Sequence, residues 1–320
     1  MRYIVYRNAW GDGIQAETSI VPELCYPFGE MKSRCREKLG VEFITLDQVN
    51  EGMDILAAFF IDPPPVDDPL LKMWVHRGIP HLFLMVCENL FLQPNKTYAG
   101  VAPFARTIFS YEMRPPMPEK TVRLRYPADV RGGMEARAAG QYVRRPYQVG
   151  MISSCKFQQM PGELYSKRYH YSYTFLDALG EAFALWGHGW PHGGKGPLPC
   201  GPEAKHAAYR QCEFALVMEN CRSIPGYITE KVFNALIAGC LPIYEYCDTA
   251  EGADIPKDCF VNAAAFQNPM ECLEFINSMK QEEKTAMFNA GTSFLASKEV
   301  EKYSVENYVK TIYQEIAAIV

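Results

Sequence analysis

The sequence predicts an α/β protein of two domains. Three observations carry that reading. A chain of 320 residues exceeds what one compact core usually holds. Short apolar strands alternate with helical or polar stretches in both halves. Between Ala128 and Arg145 the texture changes to Gly, Ala and Arg without apolar periodicity, as an interdomain hinge would. The expected division is a first domain over residues 1–140, a second over 141–300, and a C-terminal helix over 301–320 able to pack back across the hinge.

In the first half the strands are expected at Tyr3 to Tyr6, Val41 to Leu46, Ile55 to Ile61, His81 to Cys87, Thr107 to Ser110 and Val122 to Arg125. Strands separated by helices favour a mostly parallel, helix-covered sheet. Pro63-Pro64-Pro65 and Pro115-Pro116 stop regular structure at two strand ends, leaving loops able to form one wall of a cleft. Arg131, Arg137, Arg144 and Arg145 make the hinge basic, and a solvated linker face is favoured there over a ligand patch.

The second half opens with a strand at Gln148 to Ser153. A helix is expected around Tyr173 to Phe183, then a Gly/Pro-rich loop from Gly187 to Gly201 and a helix from Glu203 to Cys212. The strand Phe214 to Met218, the helix Thr229 to Ala238 and the strand Leu241 to Tyr244 follow. Pro269 to Met279, Gln281 to Leu295 and Ser304 to Ile319 carry apolar residues at helical spacing.

Composition narrows the function. With a net charge of −5 the chain has no whole-molecule field for gripping nucleic acid or an anionic membrane, so a phosphate must be held by a few placed cations. Such a balance points to a small anionic ligand. Ile79 to Cys87 and Ala235 to Ile243 fall far short of the roughly 20 residues that cross a bilayer. Met1 to Tyr6 reads as a strand rather than a secretory leader, and a cytoplasmic location is expected. Eleven cysteines, an odd number, lie scattered among apolar neighbours such as Cys87, Cys212 and Cys240, which favours reduced core thiols over a disulfide framework. Asn95-Lys96-Thr97 matches a glycosylation acceptor, a pattern short enough to arise by chance.

The chemistry concentrates between Cys212 and Ile243. A buried strand ends in Glu219-Asn220, and a polar loop leads to Pro225-Gly226-Tyr227-Ile228-Thr229-Glu230-Lys231. A helix then closes at Gly239, placed as a C′ residue should be, before a second buried strand. A helix start facing the carboxyl ends of parallel strands is an anion site, because unpaired N–H groups and the helix dipole both favour negative charge. Lys231 adds a full positive charge. Glu230 beside it would repel phosphate, so its sensible task is to accept hydrogen bonds from ribose hydroxyls. Together the two residues suit a nucleotide diphosphate.

This segment resembles the donor-binding motif of the family 10 α-1,3/4-fucosyltransferases. Glu219-Asn220, Tyr227 to Lys231 and Asn234 to Pro242 match in order. The likeness extends to Leu185-Trp186-Gly187 with its glycine-rich loop, and to Pro256-Lys257-Asp258-Cys259-Phe260-Val261-Asn262 with Phe266 beyond. It covers about residues 148–280 well and the remainder thinly. The resemblance implies a GT-B fold of two Rossmann-like domains facing across a cleft, and inversion at the transferred sugar carbon. It implies GDP-fucose as donor substrate, a carbohydrate acceptor, and neither metal nor cofactor.

Residue by residue, the resemblance implies that Lys231 and an arginine neutralise the pyrophosphate, Glu230 holds the ribose, and Asn220 and Tyr227 line the nucleotide-sugar pocket. Inversion needs a base on the far side of the sugar from the leaving group. Glu88, at the end of the strand His81 to Cys87 and followed by Asn89, resembles the family's catalytic glutamate. Arg168 is the preferred pyrophosphate arginine, ahead of Lys167, although counting back from Asp177 would place the family position near Ser172. Two departures stand out. The loop from Asn220 to Tyr227 is one residue longer than the family pattern, and Glu245-Tyr246 replaces a pair such as Trp-Gly.

Other chemistries fit poorly. His188, His192 and Cys200 lack a fourth ligand at zinc spacing, and no Gly-x-Ser-x-Gly elbow marks a serine nucleophile. The Gly187 to Gly196 loop lacks the full dinucleotide fingerprint. Two competing functions remain: a GT-B transferase using another nucleotide sugar, and an inactive carbohydrate-binding relative.

Overall fold

The structure is a computed structural model describing residues 1–8, 22–88, 98–130, 144–199, 201–222, 224–245 and 254–320. It divides into two compact units, Met1–Pro127 with Val305–Val320, and Ala128–Ser304. Asn89, the Asn95-Lys96-Thr97 pattern, Arg131, Arg137, Cys200 and Tyr246 lie outside the described residues.

In chain order the first unit holds β1 (Arg2–Asn8), α1 (Pro22–Leu39), β2 (Val41–Ile44), β3 (Ile55–Ile61), α2 (Pro69–Arg77), β4 (His81–Val86), the short α3 (Tyr98–Val101), β5 (Thr107–Ser110) and β6 (Thr121–Arg123). The second holds β7 (Tyr147–Ile152), α4 (Tyr165–Leu179), β8 (Phe183–Trp186), α5 (Pro202–Tyr209), β9 (Cys212–Met218), α6 (Glu230–Ile237), β10 (Leu241–Glu245), β11 (Val261–Asn262), α7 (Pro269–Ser278) and α8 (Gln281–Leu295). The closing helix α9 (Val305–Ala317) returns to the first unit.

Both sheets are parallel throughout. The first runs β2-β1-β3-β4-β5-β6 and the second β11-β10-β9-β7-β8. Counted within each unit, the first five strands of both sheets follow the order 2-1-3-4-5, so the direction in which strands are added reverses between β1 and β3 and between β7 and β9. In open α/β sheets ligands bind outside the carboxyl ends of the strands at such a reversal. The strands read as near-continuous apolar runs because helices cover both faces: β9 is buried along its whole length and β3 at six of its seven positions.

Two expected helices shift. The one expected around Tyr173 to Phe183 starts eight residues earlier, at Tyr165, and ends at Leu179, with Phe183 opening β8. Its aromatic first turns, Tyr165 to Tyr173, are held by tertiary packing: Tyr165, Arg168, Tyr171, Ser172 and Phe175 face inward. The helix expected to reach Cys212 ends at Tyr209, because Cys212 pairs with Tyr147 as the first residue of β9. Arg145 is no solvated linker residue: its guanidinium donates to the carbonyl oxygens of Tyr209, Cys212 and Gly239. Among the described residues no helix is long and apolar enough to cross a membrane.

Candidate active site

In the second unit the site is built from the carboxyl ends of β7, β9 and β10 and the first turn of α6. Thr229 caps α6 in an extended conformation, its hydroxyl accepting from the Lys231 N–H at 3.5 Å, so the helix dipole opens where Glu230 and Lys231 stand. Gly239, at φ +73°, ends the helix in the left-handed conformation that glycine adopts without strain.

Glu219 supports that helix tip from below and has no exposed surface. Its carboxylate accepts from the Thr229 N–H at 2.9 Å, the Thr229 hydroxyl at 2.8 Å and the Tyr244 hydroxyl at 2.9 Å. The Lys231 ammonium stands 3.5 Å from Glu219 Oε2 and donates to Thr229 Oγ1 at 2.9 Å. Sequence reasoning matched Glu219 to the motif without giving it a task; in the structure it holds the Thr229 cap and stands against the Lys231 ammonium. Burial pushes the Glu230 carboxyl up, but Lys231 and then Lys205 outweigh it and hold its pKa below the ordinary carboxylate value. Glu230 is therefore ionised and acceptor-only near neutrality.

Arg168 spans the reversal between β7 and β9. It is 4% exposed, and its guanidinium donates to the Met218 carbonyl and Asn220 Oδ1, both at 2.8 Å, and to Ser153 Oγ at 3.4 Å. Asn220 Nδ2 in turn donates to the Tyr227 hydroxyl at 3.2 Å, and Tyr227 is 1% exposed. Arg168, Asn220 and Tyr227 thus form one hydrogen-bonded chain.

The neighbouring Lys167 points to the other side. Its ammonium lies 2.5 Å from Glu245 Oε2, and Arg222 lies 3.5 Å from Glu245 Oε1. The register pairs Glu245 with Met218, so strand alternation puts Glu219 and Glu245 on opposite faces of the sheet's carboxyl edge. Each buried acid holds a lysine there, Lys231 on the α6 face and Lys167 on the α4 face. Gly187 closes this edge: a Cβ on it would sit 2.0 Å from the Ser153 carbonyl oxygen, and its φ is +137°.

In the first unit Glu88 follows β4 with its side chain partly exposed. Its main chain is held from below. Asp62, 1% exposed and at φ +61°, accepts at Oδ1 from the Cys87 N–H at 2.8 Å and the Glu88 N–H at 2.9 Å. The Tyr126 hydroxyl donates to the Cys87 carbonyl oxygen. Sequence reasoning missed Asp62; its available signal was an aspartate between an apolar strand and three prolines. Among the described residues no three His, Cys, Asp or Glu side chains gather as a metal-holding group.

Comparison with known proteins identifies the family and the fold. The sequence profile described as "Glycosyltransferase family 10 (fucosyltransferase) C-term" matches residues 145–305. No curated protein matches the chain in sequence. A solved α1,3-fucosyltransferase is similar over 97% of this chain and 88% of its own, with 12% identity and a TM-score of 0.58. The same enzyme class with GDP-fucose is similar over 98% and 89%, with 13% identity and a TM-score of 0.57. HepE of Anabaena in complex with UDP-glucose is similar over 99% and 100%, with 12% identity and a TM-score of 0.57. At these identities the likeness establishes the GT-B fold.

Proposed function

The chain belongs to glycosyltransferase family 10, the fucosyltransferases, and from that premise we propose that it transfers L-fucose from GDP-fucose to a hydroxyl of a glycan acceptor, with inversion and with Glu88 as general base. The first unit receives the acceptor and the second the donor. The observation that carries the reading is the α6 tip, where Thr229 and Glu219 hold Lys231 beside an ionised Glu230 at the carboxyl edge of a parallel sheet.

The reaction is a single displacement. The acceptor oxygen attacks the anomeric carbon, its proton passes to the Glu88 carboxylate, and the bond from that carbon to the diphosphate oxygen breaks with GDP departing. Lys231 and the N–H groups of the α6 tip stabilise the charge that develops on the leaving diphosphate. Glu230 takes the ribose hydroxyls. Asn220 and Tyr227 shape the nucleotide-sugar pocket, and Arg168 acts on the pyrophosphate chiefly by holding Asn220 and the strand ends in place. No step calls for a metal or cofactor.

One observation favours a second reading, a different nucleotide sugar. Glu245 is buried in an ion cluster with Lys167 and Arg222 where the family pattern carries an aromatic residue. Thermal-shift titration against GDP-fucose, GDP-mannose and UDP-glucose separates the two, since a ligand that binds only the folded state raises its stability. The largest rise is expected with GDP-fucose, and a preference for UDP-glucose would replace the first reading with the second. Replacing Glu88 with Gln is expected to lower turnover about 100- to 10,000-fold with donor binding intact. Absence of nucleoside diphosphate release with every donor and acceptor would instead support an inactive binding protein.

A further inference from the structure

We infer that Asp62 is a positioning residue for Glu88, fixing the main chain that presents this acid, with Tyr126 holding the same chain from the other side. The inference rests on the reading of Glu88 as general base.

Ladder pairing of β4 stops before the acid is reached. Its register with β3 ends at Met85 and with β5 at Val86, so Cys87 and Glu88 continue past the sheet. Their polar main-chain groups are nonetheless held. Asp62 Oδ1 takes the N–H groups of both residues, the Asp62 N–H donates to the Met85 carbonyl at 2.7 Å, and Tyr126 takes the Cys87 carbonyl. The two N–H groups that lie past the ladder thus share one side-chain acceptor, and a displacement of about an ångström at such a point can cost a reacting geometry roughly 100-fold.

The backbone of Asp62 shows what the position requires. Among the described residues it is the one non-glycine at positive φ, a conformation that disfavours a Cβ and that glycine takes without strain. A turn alone would be served better by glycine. An aspartate there brings strain and a buried carboxyl group, both offset by the two hydrogen bonds it accepts from residues 87 and 88. Burial pushes the Tyr126 hydroxyl well above the ordinary tyrosine value, so it stays a donor into alkaline pH as well.

Three variants separate the side chain from the backbone. Asp62→Gly keeps the left-handed conformation and removes the acceptor; Asp62→Asn keeps an acceptor oxygen; Tyr126→Phe removes the opposing donor. The readout is GDP release from GDP-fucose, with water and a panel of oligosaccharides as acceptors, beside donor affinity by calorimetry. Asp62→Gly is expected to lower kcat about 10- to 100-fold, leaving donor affinity within about twofold, and Asp62→Asn to recover most of the loss. Tyr126→Phe should show a smaller fall of the same kind. Wild-type kcat in Asp62→Gly, an Asp62→Asn as impaired as Asp62→Gly, or a loss of donor affinity parallel to the loss of kcat would each overturn the inference. Glu88→Gln is measured alongside. Undiminished turnover in that variant sinks the base assignment itself, whereas a dead Glu88→Gln with an active Asp62→Gly sinks only the positioning role.

Discussion

A carboxylate with no exposed surface persists in a protein interior only where its lone pairs are taken up, and Glu219 accepts from Thr229 twice and from Tyr244 once, with Lys231 as counter-charge. Removing it strands several groups together. Glu219→Ala should therefore destabilise by about 3–5 kcal/mol in denaturant unfolding, whereas Tyr244→Phe, which deletes one of its donors, should cost about 1–2 kcal/mol. Equal effects would mean that Glu219 does not organise the site. Glu230 gives a second expectation, in pH. Lys231 and Lys205 overcome the effect of burial and hold its folded pKa below the ordinary 4.5. A carboxyl whose pKa falls on folding binds its proton less readily in the folded state. Its contribution is then complete above that ordinary value and disappears as pH falls through the lower folded one. Against Glu230→Gln, the wild type should hold a constant advantage near pH 7 and lose it only in acid below the usual carboxylate range. Unfolding midpoints that run parallel at every pH would refute that assignment.

Elements differ in how openly their residues announce them. The strand Ile55–Ile61 is an unbroken apolar run, and α6 is bracketed by Thr229 and Gly239, so both are legible as local patterns. The start of α4 is not, because Leu164 offers no capping side chain and Tyr165 to Tyr173 carry no clear apolar period. Only packing against Met151, Ala263 and the β9 end decides that this stretch is helical. The same limit governs the site. Glu230 and Lys231 are readable because one motif places them, while the opposed tasks of Lys167 and Arg168 depend on which face of α4 meets which strand end. Asp62 was hidden because the N–H groups it holds lie 25 and 26 positions further along the chain. Gly187 belongs at this scale too, since it lets the loop after β8 run against the end of β7. Gly187→Ala places a methyl on the Ser153 carbonyl at a φ that alanine avoids. It should cost more than about 1 kcal/mol and weaken donor binding, measured by unfolding and by nucleotide titration. Unaltered stability and affinity in Gly187→Ala would show that this approach is slack.

At the scale of the molecule, the chain builds the same parallel strand order twice and then sends its last helix back to the first unit, so that unit is completed only when the final residues are in place. Two kinds of interaction hold α9 there. Arg34 and Glu306 form a two-point ion pair at 2.8 and 3.0 Å, but the side chains are 26% and 51% exposed, and exposed pairs contribute about 0–1 kcal/mol. Tyr308, Val309, Ile312 and Ile316 instead bury one face of the helix in the core that contains Ile4, Phe28, Phe59 and Phe83. Truncating one such aliphatic side chain costs about 2–5 kcal/mol, so burial, not charge, fixes the helix. Glu306→Ala should consequently change stability by less than about 1 kcal/mol, and Ile312→Ala by about 2–5 kcal/mol. The loss should also be local. Amide exchange in Ile312→Ala should accelerate in β1, β3 and β4, while β7, β9 and β10, built on separate cores, keep their protection. Acceleration spread evenly over both sheets would show that the chain unfolds as one cooperative body and that its last helix is not specifically part of the unit bearing Glu88.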